Sequence, residues 1–392
     1  MKTMQGSRVP WLAVSLLLLL GVVAVLLTGC DLGSTEPTPL PEATAETPGP
    51  LPDMTPIPTD QVDATPPVPS VNTITIWTTE AFSPTQTISS GQILAEQVAV
   101  FEAAHPDVKI EFVVKKPYGK GGVLDFLLTT QSVVPALLPD LVFLDIDELG
   151  AAAQAGVVQP LHDLVSPELV ADLYPFAREA STFDGLLYGL QFQANLDHLA
   201  YNTGRLTIPP RSWPGVLSST GPYIFPAGGQ SGLVNDEFLI QYLAVRPWPP
   251  QDPDEPFLQE GNLTAVLQYY NDGVTRGVFP ADILDYHTTD DCWRDYLGGE
   301  AVLTHVSAHR YLTNGDQRPS TAMAPIPAIN GPGAAISRGW AQALVSSDAA
   351  RQSLAMEFMT QLMSPEVVGA WNLAASYLPT RQAALDTWDE ED

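Results

Sequence analysis

The stretch WTTE holds Trp77, Thr78 and Glu80, and the stretch DID holds Asp145 and Asp147. A tryptophan face can stack on the apolar face of a ring, and carboxylates accept paired hydrogen bonds from vicinal hydroxyls. An aromatic plate with acids beside it is chemistry for holding a small polyhydroxylated molecule. Other readings stay open at this point. Trp77 also suits a protein core, and Asp147 also suits the N-cap of a helix. Carboxylates in such number are also compatible with the acid–base pair of a glycoside-acting enzyme.

The remaining chemical motifs are weak. YGKGG (residues 118–122) lacks the Walker spacing and the Ser or Thr that would hold magnesium, so it reads as a loop at a helix start. His305 and His309 stand four apart with no HExxH glutamate, and a strand is expected to end between them, so no metal site is assigned. No serine elbow, cysteine–histidine pair or cofactor fingerprint is present, and no cofactor is expected.

The elements that position the acids and the tryptophan follow from periodicity. Ile74 and Ile76 alternate with threonines, the mark of a strand. Leu94, Val98 and Phe101 have helical spacing, and Pro106 ends that helix. Val108, Ile110 and Phe112 alternate again, and a further helical stretch surrounds Leu124–Leu128. The continuous apolar run at 141–144 suits a strand buried on both faces. ELGAAAQAG then reads as a helix with Gly156 at its C′ position. This alternation predicts an α/β lobe with a mainly parallel sheet flanked by helices. Open sheets of this kind bind ligands beyond the carboxyl ends of their strands, where Trp77, Thr78, Glu80, Asp145 and Asp147 fall.

Composition sets the outer bounds. The chain has 392 residues, and the portion beyond residue 71 is long for a single core, so two lobes are expected. A net charge of −28 with only 17 Lys and Arg opposes nucleic acid as a partner and favours a neutral or cationic ligand. Lys2 and Arg8 precede an apolar run from Trp11 to Thr28. This pattern suits a secretory signal, and its length also suits an uncleaved transmembrane anchor. The junction LLTGC resembles a bacterial lipobox, which implies cleavage before Cys30 and lipid on that cysteine. Asp31 resembles a signal for retention on the inner membrane. Residues 31–71 are rich in Pro, Thr and Glu and read as a disordered tether that reaches at most about 120 Å. With Cys30 acylated, Cys292 has no partner and no intrachain disulfide is expected.

Several stretches in order carry a family resemblance: FEAAHPDVKIEFV, PDLVFLDIDELGAAAQAGVVQPLHDLV, FDGLLYGLQFQANLDHLAYNT, YLGGEAVLTHVSAHRYL, TAMAPIPAI, SRGWAQALVSSDAARQSLAMEFMTQLMSPEVVGAWN and YLPTRQAAL. Over about 72–385 the chain resembles the extracellular solute-binding proteins, family 1. These are the carbohydrate-binding lipoproteins of ABC importers, similar to maltose-binding protein. The resemblance implies a type II periplasmic-binding-protein-like fold with two lobes around a ligand cleft. Lobe I would take 72–192 and 330–372, and lobe II 193–329 and 373–392. The crossings would fall near QFQANLD and MAPIPA. Hinge closure over the solute would deliver it to a permease.

The resemblance also implies cleft positions for Gln193, Asn195, His305, Ser307, His309, Arg338 and Trp340. Many sugar binders carry an aromatic where His309 stands. The expected protein is a monomeric, non-enzymatic receptor on the outer face of the cytoplasmic membrane. Its solute is a mono- or oligosaccharide, with a cationic solute such as a polyamine, or a carbohydrate-active enzyme, as alternatives.

Overall fold

A computed structural model of the protein describes residues 72–161, 163–229, 235–246, 256–315 and 320–388. The expected export signal, Cys30 and the expected tether lie outside the described residues. The chain begins with the expected alternation: β1 (Asn72–Thr78), α1 (Ser89–Ala104), β2 (Val108–Val114), α2 (Val123–Val133), β3 (Leu141–Asp145) and α3 (Ile146–Gln154). Helices α4 (Pro167–Asp172) and α5 (Pro175–Ala180), with the small hairpin β4 (Thr182–Phe183) and β5 (Leu186–Leu187), lead into the long strand β6 (Gly189–Asn202). The middle of the chain forms α6 (Trp213–Leu217), β7 (Tyr223–Ile224), α7 (Asp236–Val245), α8 (Glu260–Thr275), α9 (Thr289–Leu297), β8 (Leu303–Ser307), α10 (Ala308–Asn314) and β9 (Thr321–Ala324). Strand β10 (Ser337–Leu344) and helices α11 (Ala349–Leu362), α12 (Pro365–Ala375) and α13 (Gln382–Leu385) complete it.

The strands join in the order β2-β1-β3-β10-β6-β8-β7, with β9 also paired to β6. β1 is parallel to β2 and β3, while β10 runs antiparallel to β3. β6 is shared. Its residues 189–196 pair with β10, and residues 197–202 pair with β8 and β9. One strand therefore belongs to two sheets, and each sheet has its own core. Ile74, Ile76, Phe143, Phe192, Phe358 and Trp371 fill one face of the first sheet, and Val142, Leu144, Leu149 and Ala341 fill the other. Every residue of β3 is buried, which explains the apolar run 141–144 that precedes Asp145. The second core stacks Trp213 on Tyr269 at 4.5 Å and gathers Tyr223, Phe225 and Phe279 around it. These are the two lobes of an α/β fold.

Local signals account for most element ends. Gly156 has φ +67° after α3, a left-handed position where glycine carries no Cβ penalty. Asp348 caps α11, and Pro365 opens α12 after Ser364. Arg351 on α11 donates to Asp140 Oδ1 at 2.7 Å and to Thr73 O at 2.8 Å, bolting that helix to the first sheet.

The structure differs from expectation in three places. The tail, expected in lobe II, packs on the first lobe: Ala384 lies in the first core and Trp388 Nε1 donates to Gly369 O at 3.0 Å. MAPIPA stays with the second lobe, because Ala328 O accepts from Trp213 N and Ile326 O from Gly333 N. The chain passes between lobes after Gly333, not at the prolines. In α9, the stretch TTDDCWRDYLGG reads as a helix with Trp293 and Leu297 inward, but Tyr296 packs beside Trp293 and Leu297 is 39% exposed.

Candidate functional site

A cavity of about 720 Å3 opens where β6 changes partners. Strand alternation places Gln193, Asn195 and Asp197 on one face of β6, beyond a bulge that separates them from Gln191, and Asn195 and Asp197 reach the cavity wall. Helix starts form much of the rest. Asn235 caps α7 by accepting from Phe238 N at 3.0 Å, Thr288 forms a capping box with Asp291 on α9, and Ser307 caps α10 by accepting from Arg310 N at 3.2 Å. Asp236, Glu237 and Asp290 thereby sit in first turns, where the helix dipole favours negative charge.

The polar side chains are held firmly. His309 N donates to Asn195 Oδ1 at 3.0 Å, and its Nδ1–H donates to Ser376 O at 2.9 Å. That bond leaves Nε2 as an acceptor. The His309 ring stacks on Tyr377 at 4.2 Å, tying α10 to the segment after α12. His287 likewise donates Nδ1–H to Gly229 O at 2.7 Å. Arg338, at the start of β10, donates to Asp197 Oδ2 at 3.3 Å and to Asp236 Oδ2. Arg310 Nε stands 3.2 Å from Asp290 Oδ1. Beneath the floor, buried Glu237 pairs with His305 Nδ1, and His305 Nε2 meets the Tyr223 hydroxyl. Burial pushes the Tyr223 phenol well above its ordinary range, with Glu237 adding to the shift.

The first lobe adds a second group. Asp145 caps α3, accepting from Asp147 N at 2.9 Å and from Tyr118 OH at 2.6 Å. The Tyr118 ring lies 5.8 Å from that of Trp340, which in turn lies 5.6 Å from Phe82. Burial and repulsion from Asp145 push the Asp147 carboxyl above its usual range, with Arg338 opposing. Burial and both neighbouring acids raise Glu148 as well. Asp197 is raised by burial and by Glu237, again against Arg338 and His305.

The sequence-predicted residues fall into separate groups. Asn195, Ser307, His309 and Arg338 meet at the cavity. Asp145, Asp147 and Trp340 gather around Tyr118. Gln193 is 4% exposed, and its Oε1 has no hydrogen-bond partner among the described residues. Trp77 belongs to a core cluster, with Phe126 edge-on at 6.2 Å and Lys115 Nζ 4.7 Å over its ring. Thr78 is fully buried and donates to Phe82 O at 3.3 Å. Glu80 is exposed, and its carbonyl accepts from Gln86 Nε2 at 2.6 Å. His305 lies under the cavity floor, not in its wall. Tyr118, Asp197, Asp236, Asp290 and Tyr377 were missed. The alternation Gln193, Asn195 predicts Asp197 two residues on, and Asn-Asp-Glu before an apolar run marks the start of α7.

Two α/β lobes joined by a shared strand leave a polar cavity at the join. The sequence pattern described as bacterial extracellular solute-binding protein matches residues 96–391, and the chain belongs to that family. The family is one of receptors outside the cytoplasm, not enzymes. The maltotriose-binding protein of Pyrococcus abyssi is 29% identical over 143 residues, which span 36% of this chain and 29% of that protein. Among solved structures, the cyclic alpha-maltosyl-1,6-maltose binding protein of Arthrobacter globiformis has a TM-score of 0.62 at 17% identity, over 81% of this chain and 82% of that one. The maltose-binding periplasmic protein of Listeria monocytogenes in complex with maltose has a TM-score of 0.61 at 16% identity, over 81% of each chain. These two likenesses concern the fold. No helix among the described residues is long and apolar enough to cross a membrane.

Proposed function

We propose that the protein is a lipid-anchored receptor that binds a sugar or oligosaccharide between its lobes and delivers it to the permease of an ABC importer. The observation that carries this reading is the cavity of about 720 Å3 at the crossing strand, lined by acids, amides, imidazoles and two arginines. Such groups suit hydroxyls, each of which donates once and accepts twice. Asp197 and Asp236 accept, Arg338 donates, and His309 Nε2 accepts. Trp340 and Tyr118, with Asp145 and Asp147 beside them, are assigned by this reading to the lobe I side that closes over the solute. Gln193 stands behind Asn195, and Trp77 and Thr78 brace the wall from the core.

The maltose and maltotriose binders resembling this chain support the choice of a carbohydrate. The LLTGC junction supports the anchor. The tail packs with lobe I, so lobe I takes 72–194 and 337–388, and lobe II takes 197–333.

The test is a thermal-shift panel of neutral sugars, maltose and maltotriose included, on a soluble form starting at Asn72. A ligand at a hundred times its Kd adds about 2.7 kcal/mol of stability. If no sugar shifts the melt, the carbohydrate reading fails. Intact mass of the membrane fraction tests the anchor separately, and an unmodified Cys30 on a membrane-bound product would remove it.

A further inference from the structure

The cleft holds acceptors that the protein does not supply with donors. Asp197 is 7% exposed and lines the cavity, yet the only hydrogen bond to its carboxylate among the described residues is the 3.3 Å contact from Arg338 to Oδ2, which leaves Oδ1 unpaired. On the same face of β6, the buried Gln193 Oε1 has no partner. In the first turn of α3, Glu148 Oε2 beside Asp147 also has none among the described residues. The charges are out of balance in the same sense. Arg338 is shared among Asp197, Asp236 and Asp147, with His305 also acting on Asp197, and Arg310 is held by Asp290. Glu237 is held by His305. The corner between Asp197 and Asp236 already accommodates a nitrogen cation, the guanidinium of Arg338, which is 41% exposed.

A hydroxyl brings two acceptor lone pairs for each donor, whereas an ammonium brings donors and positive charge only. From this geometry we infer that the solute carries a basic nitrogen: it is an aminated saccharide whose protonated amine sits against Asp197 and Asp236 while its hydroxyls meet Asn195 and His309. This specifies the ligand class of the carbohydrate site proposed above and rests on that reading. Carboxyls held above their usual range by desolvation and by neighbouring acids, as Asp147, Glu148 and Asp197 are, gain most from an added cation.

Calorimetry at low salt on shape-matched sets tests the inference. The sets are glucose, glucosamine and N-acetylglucosamine; cellotriose, the glucosamine trimer and its N-acetylated form; and maltotriose with its 6-amino-6-deoxy derivative. In any set that binds, the amine should bind at least tenfold more tightly than the neutral sugar, and N-acetylation should erase the difference. The amine-to-neutral ratio should fall in Asp197→Asn and rise in Arg338→Gln. Opposite signs in these two variants are not the mark of a merely structural role, and Arg338→Gln guards against a misfolded Asp197→Asn. Neutral and amine forms binding within twofold of each other would overturn the inference and leave the sugar receptor standing. Failure of every set to bind would remove the carbohydrate reading and this inference with it.

Discussion

Gly339 is the position at which one methyl group should cost the most. It faces Ala194 where β10 pairs with β6, between Arg338 opposite Asn195 and Trp340 opposite Gln193. A Cβ there would stand 2.1 Å from Gln193 O and 2.6 Å from Gln191 Nε2. The glutamine side chain can swing away, but the carbonyl is part of the ladder and cannot. Relief requires the strands to part by about 1 Å. Overpacking of this kind costs about 1–3 kcal/mol, and two weakened ladder bonds add about 1 kcal/mol each. Gly339→Ala should therefore lose about 3–5 kcal/mol in urea denaturation, and solute affinity should fall as well because Arg338 and Trp340 move with the strand. A loss below about 1 kcal/mol with an unchanged m-value would refute the argument. It would mean that β10 slides at no cost and that the close approach is not structural.

The other expectations are briefer. Arg351→Met strips two charge-assisted bonds from Asp140, which is 2% exposed, and should cost about 3 kcal/mol, the low end for breaking a buried pair because the arginine itself is part-exposed; equilibrium unfolding reads this. Tyr377→Ala removes the stack under His309 and should weaken solute binding by about 0.5–1.5 kcal/mol, measured by calorimetry, with the fold intact. Glu148 is held above its usual range, so its charged form opposes folding. Glu148→Gln should be the more stable protein at neutral pH, by less than about 1 kcal/mol, and the gap should close as pH falls through the raised value and protonates the wild-type carboxyl. Solute at saturation should reduce the radius of gyration by small-angle scattering, because binding must favour the closed state by differential contact.

The first lobe was legible because each element carries its own period and its own stop: Ile74 and Ile76, then Leu94 to Pro106, then the apolar run of β3. The direction of Trp77 was not legible. β1 lies between β2 and β3 and is covered on both faces, so alternation cannot say which of its residues look outward. Asp145 and Asp147 were found together, yet the cap is Asp145 and not Asp147, a small offset that depends on where the strand ends. Tyr118 sits in the glycine-rich loop read only for phosphate, and its hydroxyl instead supports Asp145. The tail was misassigned because no local pattern records that Arg381 will find Asp172, a contact 209 residues away in sequence, with Nε and Oδ2 at 2.6 Å.

The shared strand has a mechanical consequence. A loop between lobes would let them wander freely, but β6 is paired along its length, to β10 up to Leu196 and to β8 from Asp197. Rotation of one lobe against the other must be taken up as torsion of the backbone at that junction, which behaves as a stiff spring with its pivot between two residues. Asn195 and Asp197 flank the pivot and also line the cavity. A solute gripping them pulls at the fulcrum, where the lever arm is shortest, so large swings of the lobe tips correspond to very small displacements of the side chains that hold it.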